Sequence, residues 1–322
     1  MAIDELVPTI DISDPSDDEF AALDRACRDH GFFLLTGHGL DALIEETWVQ
    51  AREFFTADRS LRVAVERDDQ NPLGWFDREL TKRKRDSKQV FDFTDPNTPA
   101  VDAYNRWPDG FDRFRPTLAA FYDAFSDLAE RTVALVHRAL DLPDDVIRDH
   151  VGDRTTSSVR LNHYPVGDPV PENERDGLRE LGDMALGYHT DPGVLTLLLQ
   201  DATGGLQAQA ANGDWVDVEP RPGTIVVNLA DAMQVWTNDQ YRAAVHRVVP
   251  MTSTDRMSIP YFFNPPRSAV IEPIGRLAGD APRYRSFVWR DYMRARTEDN
   301  YEDLGADDTQ IADYAIGATA TG

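Results

Sequence analysis

The chain has 322 residues, 41% hydrophobic and 10% aromatic, enough for a large core in one big domain or two fused ones and too apolar for a disordered chain. Acidic residues outnumber basic ones 57 to 33, a formal net charge of −24; this argues against nucleic acid as a partner, because phosphate neutralisation needs a basic surface. No apolar run reaches the roughly 20 residues of a membrane span, and the start MAIDELVPTIDISD has no charged-then-apolar leader pattern, so a cytoplasmic protein without a membrane partner is expected.

The only cysteine, Cys27, excludes an internal disulfide and a cysteine-based metal cluster. It lies in DRACRDHGF, an amphipathic helical pattern, and is expected to be a buried structural thiol. The only three lysines, Lys82, Lys84 and Lys88, fall inside one run, TKRKRDSK. Nothing in the sequence fixes the oligomeric state; a monomer is the default expectation.

In chain order, VPTIDIS predicts a strand. SDDEFAALDRACRDHG predicts a helix with an acidic N-terminal cap region and a stop at Gly31. FFLLTGHG reads as a buried strand running into a turn, and DALIEETWVQAREFF as a second helix. Residues 60–115 are polar and irregular. A long helix is expected from RPTLAAFYDAFSDLAERTVALVHRALDLP, ending near Leu142–Pro143.

After about residue 155 short apolar runs recur between Gly, Pro, Asn and Asp clusters: SSVRLNHYPV, VLTLLLQD, LQAQA, WVDVEP, GTIVVNLAD, HRVVP and RMSIPYFFNPP. Many short strands with frequent turns predict a β-sandwich or barrel. DYMRARTED predicts a late helix, and the small-residue tail YAIGATATG a loose end. The expected division is a mixed α/β region over 1–154, a β core over 155–280, and a helix with tail over 281–322.

The stretch GYHTDPGVLTLLLQD sets His189 and Asp191 two positions apart at the front of a strand-like run. Residues i and i+2 of a strand share a face, so an imidazole and a carboxylate meet at one point. A core histidine bonded to a carboxylate would also satisfy this pair. His246 in AAVHRVVP is the natural third partner, giving two imidazoles and one carboxylate with positions left open, a set suited to non-haem Fe(II). Arg256 and Ser258 share a face in RMSIPYF, and Asn162 and Tyr164 share one in VRLNHYP. A guanidinium, a hydroxyl and a phenol converging on one pocket make a carboxylate receptor.

GYHTDPGVLTLLLQDATGGLQ, PGTIVVNLADAMQVWTNDQYRAAVHRVV and RMSIPYFFNPP, in this order, closely resemble the Fe(II)/2-oxoglutarate dioxygenases of the isopenicillin N synthase-like superfamily. VPTIDIS and ACRDHGFFLLTGHGL are similar to its N-terminal region, so the resemblance spans about residues 7–275. It implies a mainly β fold with flanking helices, built on a distorted double-stranded β-helix (jelly roll). It implies that His189, Asp191 and His246 bind Fe(II), and that Arg256 and Ser258, helped by Tyr164 and with Asn162 nearby, hold 2-oxoglutarate. The reaction implied uses O2 and 2-oxoglutarate to hydroxylate, desaturate or cyclise a small organic substrate, releasing succinate and CO2. His163 departs from the second tyrosine that many members carry, at an outward-facing position.

Three rivals stand beside this reading. A 2-oxoglutarate-independent oxidase of the isopenicillin N synthase or aminocyclopropane-carboxylate oxidase type also carries Arg-x-Ser. A zinc hydrolase would lack its H-E-x-x-H motif here, and a non-catalytic binding module would be expected to have lost a ligand or clamp residue. Trp75, Phe76, Phe91, Phe93 and Phe262 are the candidate substrate-wall aromatics, Phe262 because it is in phase with Arg256 and Ser258; ordinary core packing is the alternative for the other four. The TKRKRDSK run is read either as a solvated charge run or, from the family's layout, as a patch near the barrel mouth that attracts anions into an acidic protein.

Overall fold

The structure, a computed structural model, describes residues 7–81, 83–143, 146, 152–297 and 309–317. Its strands are β1 (Thr9–Asp11), β2 (Phe32–Thr36), β3 (Gly74–Phe76), β4 (Leu80–Thr81), β5 (Lys84–Arg85), β6 (Gln89–Thr94), β7 (Ser158–Tyr164), β8 (Leu186–His189), β9 (Leu195–Gln200), β10 (Leu206–Gln209), β11 (Trp215–Asp217), β12 (Ile225–Leu229), β13 (His246–Val248) and β14 (Arg256–Phe263). The main helices are α1 (Asp17–Asp29), α2 (Asp41–Thr56), α3 (Phe114–Ala139), α4 (Asp231–Trp236) and α5 (Trp289–Thr297).

An eight-stranded sheet in the order β1-β2-β12-β9-β14-β7-β6-β3 faces a four-stranded sheet in the order β11-β10-β13-β8. The β1–β2 pair is parallel and the other pairings in these two sheets are antiparallel. Residues from both sides of position 154 contribute to the large sheet.

Strand alternation divides the large sheet into two faces. Phe33, Phe91, Leu161, Leu197, Val227 and Ile259 point outward into a core closed by α1, α2 and α3. Leu34, Tyr164, Leu198 and Val226 point inward and pack with Leu206, Ala208 and Val248 of the small sheet. This is the jelly-roll core that the short-strand pattern and the resemblance imply.

Local signals explain most element ends. Helix α1 starts in a reciprocal capping box, with Glu19 N–H donating to Ser16 Oγ at 3.2 Å and Ser16 N–H to Glu19 Oε2 at 2.9 Å. It is followed by Gly31 at φ +73°, as the glycine stop predicts. Helix α3 ends at Ala139, short of the expected Leu142–Pro143, because Asp141 adopts the left-handed region at φ +53° and turns the chain away.

Two sequence expectations need correction, and one strand holds an unexpected proline. The irregular 60–115 segment contains β6, a buried strand of the large sheet; its alternation is obscured because Gln89 and Asp92 are buried polar residues rather than exposed ones. Pro260 sits inside β14 between two neighbours, although proline normally marks an edge. Pairing with β9 continues through it, while pairing with β7 skips Ile259 and Pro260. The tail, expected to be loose, is docked over its described part: the Tyr314 ring lies 4.4 Å from that of Phe287 and 5.6 Å from that of Tyr292, and Ala315 bridges Tyr284. Residues 318–322 lie outside the described residues. Cys27 is fully buried in the outer core, where burial pushes its thiol well above its usual pKa.

A methyl group on Gly31 would meet the Arg242 carbonyl oxygen at 2.2 Å, on the segment that feeds β13. Gly31→Ala therefore combines a backbone clash with left-handed strain and should cost about 2–3 kcal/mol, read as a lowered urea midpoint.

Candidate metal centre

His189 ends β8, His246 begins β13, and the two are direct cross-strand partners in the small sheet. Their ring centroids are 4.3 Å apart. Each ring is fixed through Nδ1 to a carbonyl two residues upstream, His189 to Gly187 O at 2.8 Å and His246 to Ala244 O at 2.9 Å. Both carbonyls demand a proton on Nδ1, which leaves each Nε2 with its lone pair available.

Asp191 completes the group. Its Oδ1 lies 3.6 Å from His189 Nε2 and 3.8 Å from His246 Nε2, and the three ligand atoms fall within 4.8 Å of one another. Its Oδ2 is already engaged, accepting from Thr196 Oγ1 at 2.5 Å and Asn228 Nδ2 at 2.8 Å. One carboxylate oxygen is anchored and the other is left for a cation. Burial, with His246 nearby, pushes His189 down to about 3. Burial would raise the Asp191 carboxyl, but His246, His189 and the bonds from Thr196 and Asn228 bring it below its ordinary value. A neutral imidazole at His189 and an ionised carboxylate at Asp191 are protonation states that suit a metal.

The group opens into a cavity of about 1700 Å³ between the two sheets. Arg256 and Ser258 on β14 are paired directly with Tyr164 and Asn162 on β7, and all four line the cavity. Arg256 is 1% exposed, lies 4.9 Å from the Tyr164 ring centroid, and buries Nε and Nη1 without a hydrogen-bond partner. Asn162 donates to Ser258 Oγ at 3.3 Å and leaves its own Oδ1 unpaired. Buried guanidinium N–H groups with no acceptor are costly. A ligand carboxylate would satisfy them with two oxygens, so these residues fit 2-oxoglutarate.

Towards the mouth, the same strand faces continue as Arg160 and Ser158 on β7 and Pro260 and Phe262 on β14. Phe262 and Phe76 line the cavity, whereas Trp75, Phe91 and Phe93 do not: these three belong to the outer core, where Phe91 lies 5.0 Å from Phe54 and Phe93 5.3 Å from Trp107. The reason is strand parity, since Phe91 and Phe93 alternate with the inward Val90 and Asp92. His163 likewise faces away, stacked on Phe55 at 5.4 Å and bonded to Gln89 and Asp255.

The basic run is divided between exposed and buried cations. Lys88 is buried against Glu79 at 3.0 Å and Asp86 at 3.1 Å, and Arg85 is buried in a two-point bond to Asp168 at 2.8 and 2.6 Å. Lys84 is exposed and Lys82 lies outside the described residues. Neighbouring residues of β5, Lys84 and Arg85, point to opposite sides, one to solvent and one into the protein. Glu79 also receives Arg67 at 2.8 Å and Arg160 at 2.8 and 2.9 Å, while Arg160 forks onto Asp92. The three surrounding cations hold the Glu79 carboxyl well below its usual range against the cost of burial.

The sequence reading missed Thr196, Asn228 and this ionic wall. The signal was present: Thr196 and Asn228 are polar residues in otherwise apolar buried strands, and they pair in register across β9 and β12.

Residues 155–265 match the 2OG-Fe(II) oxygenase superfamily, and residues 7–110 match the family described as non-haem dioxygenase in morphine synthesis N-terminal. DMR6-like oxygenase 1 of Arabidopsis thaliana is 32% identical over 298 residues, covering 89% of this chain and 81% of the relative. The chain belongs to the Fe(II)/2-oxoglutarate oxygenases. Homoarginine-6-hydroxylase 2-ODD-233 of Oryza sativa subsp. japonica is 28% identical over 325 residues, 92% of this chain and 97% of the relative. A full-length Neurospora crassa protein, solved in complex with alpha-KG, superposes with a TM-score of 0.74 at 25% identity, over 89% of this chain and 94% of that one. The rice dioxygenase for auxin oxidation gives 0.74 at 26%, over 96% and 100%. This chain is accordingly a non-haem Fe(II)- and 2-oxoglutarate-dependent dioxygenase acting on a small molecule with O2.

Two outcomes test the support of the site. Asn228→Ala should weaken metal affinity by about 10–100-fold with the fold intact, because it frees the anchored oxygen of Asp191; competition with a chelator measures it. Glu79→Gln removes the buried charge shared by Arg67, Lys88 and Arg160 and should cost about 3–5 kcal/mol, whereas Lys84→Ala should leave the urea midpoint where it was.

Proposed function

We propose that His189, Asp191 and His246 hold the iron, that Arg256 and Ser258 clamp the distal carboxylate of 2-oxoglutarate beside Tyr164 and Asn162, and that the space between Phe76 and Phe262 receives the primary substrate. The observation that carries this reading is the buried Arg256 guanidinium, with two N–H groups unpaired, in the same cavity as three converging metal-ligand atoms. The bound iron and oxo acid would supply the oxidising chemistry: O2 is consumed, 2-oxoglutarate becomes succinate and CO2, and the substrate is hydroxylated, desaturated or cyclised.

The chain's own residues do the positioning. Gly187 O and Ala244 O hold the protons of the two imidazoles on Nδ1, so both rings stay turned to one point. Thr196 and Asn228 hold one oxygen of Asp191 and would leave the other for the iron. Leu198, Leu206 and Val248, buried in one cluster with Tyr164, line the cavity and exclude water around the clamp. The relatives' names span gibberellin, flavanone and homoarginine chemistry, which supports a small organic substrate without choosing one.

The test is anaerobic loading with Fe(II) and 2-oxoglutarate, then a metabolite screen for coupled succinate release. Alanine at His189, Asp191 or His246 should abolish turnover with the fold intact; near-full activity in any of them removes that residue from the ligand set. Arg256→Lys should raise the 2-oxoglutarate requirement about tenfold or more, because an ammonium cannot make the two-point fork. Ser258→Ala should cost about 1 kcal/mol, roughly fivefold in KM for 2-oxoglutarate.

A further inference from the structure

The cavity inverts the charge of the chain. Against a net charge of −24, its described lining carries nine cationic side chains and six carboxylates. Most of the carboxylates are already answered. Glu79, Asp86 and Asp92 are paired with Arg67, Lys88 and Arg160. Asp68 is engaged by Arg106 at 2.5 Å and by the Gln70 and Asn71 amides. Asp191 belongs to the metal group, and Arg256 to the cosubstrate clamp. The remaining charges of the lining are Asp69 on one side and Arg247, Arg267, Arg290, Arg294 and Arg296 on the other.

Four of these arginines lie on, or are bonded to, one element. Along α5, Trp289, Met293 and Arg296 follow i, i+4, i+7 spacing, and Arg290 with Arg294 forms the adjoining i, i+4 row; all five line the cavity. Arg290 N–H donates to Arg267 O at 3.1 Å, which brings the Arg267 backbone against the start of the helix. The Arg290 side chain is 65% exposed, and Asp291 lies 3.5 Å away. The helix is fixed to the metal loop: Tyr292 OH donates to Asp231 Oδ2 at 2.6 Å, Asp231 N–H to Asp191 O at 2.9 Å, and Arg296 Nη2 to Thr190 O at 2.6 Å. The basic rim is thereby held in fixed relation to the metal, with Leu73, Phe76, Phe262, Trp289 and Met293 giving the cavity apolar surface.

We propose that the primary substrate is a small organic acid, whose carboxylate is received by Arg267 and Arg290 at the mouth while its apolar body extends past Phe76 and Phe262 toward the metal. This deepens the residue assignments above and rests on them for the position of the metal. The arginine fork suits a carboxylate, and the apolar surface between rim and metal suits a hydrocarbon or aromatic body. An amine-bearing substrate would instead have to use the Asp68–Asp69 side, where Asp68 is already engaged.

The experiment uses the full chain, anaerobic and loaded with Fe(II) and 2-oxoglutarate. Straight-chain and aryl-alkyl carboxylates of graded length are compared with their matched carboxamides and amines by equilibrium dialysis. The preferred acid should bind at least about tenfold tighter than its amide at low ionic strength, with the preference shrinking as salt rises. The Arg267→Gln/Arg290→Gln double variant should lose that preference while its affinity for the amide is unchanged, and Arg290→Lys should keep most of it. Binding of 2-oxoglutarate, followed separately, should be the same in all three proteins. The proposal is overturned if no acid in the panel outbinds its amide, if the amines bind best, or if the double variant keeps the acid preference. Failure of 2-oxoglutarate to depend on Arg256 would instead overturn the clamp assignment, so the two failures are distinct.

Discussion

The candidate metal centre depends on the cross-strand pairing of His189 with His246. Because the two residues face each other across the β8–β13 ladder, their relative position is set by backbone hydrogen bonding rather than by side-chain packing. That pairing would be useless if either ring could rotate, and the carbonyls of Gly187 and Ala244 prevent it. Asp191 joins from the turn that carries the chain from the small sheet to the large one. Its orientation comes from the opposite sheet, through Thr196 and Asn228. The centre therefore ties the two sheets together, and a change in their spacing would move the carboxylate relative to the imidazoles.

The large sheet serves two masters on alternate residues. Its outward side chains are nearly all apolar and build the core against α1, α2 and α3; its inward ones are increasingly polar from Leu198 toward Arg160 and Asp92. Six buried or half-buried charges on the inward side would be ruinous singly. Arranged as Glu79 and Asp92 around Arg160, with Arg67, Lys88 and Asp86 outside them, each has an opposite charge within about 4 Å. Such a network gives the substrate chamber a polar wall that cannot easily rearrange.

Much of this was legible in the sequence because strand alternation carries information at short range. The pairs Arg256/Ser258 and Asn162/Tyr164 follow from period two, and the acidic cap region and glycine stop marked the ends of α1; Asp191, expected on one strand with His189, lies in the turn beyond the end of β8 and converges from there. What escaped was information that exists only across strands. Asp92 looks like a solvent-facing residue in QVFDF until Arg160 is brought opposite it by the β6–β7 register. Trp75, Phe91 and Phe93 are as aromatic as Phe76 and Phe262, and only the parity of their strands decides which face the chamber. The basic run reads as one cluster because sequence distance suggested a common surface, yet Lys84 is exposed while Arg85 and Lys88 are buried in ion pairs.

The burial of Lys88 and Arg85 changes how an acidic enzyme must handle anionic ligands. A dianion such as 2-oxoglutarate approaches a shell whose net charge repels it, and beyond about 8 Å physiological salt removes most of that repulsion. Inside that distance the local arrangement decides. The mouth presents the arginines of α5 and Arg267, the middle presents an internally neutral ionic wall, and the floor presents the Arg256 guanidinium with two unpaired N–H groups. An entering anion thus meets an excess of positive charge at the rim and again at the bottom, with apolar contacts and closed ion pairs in between. With the residue assignments proposed above, the exposed rim arginines and the buried Arg256 would receive two different carboxylates.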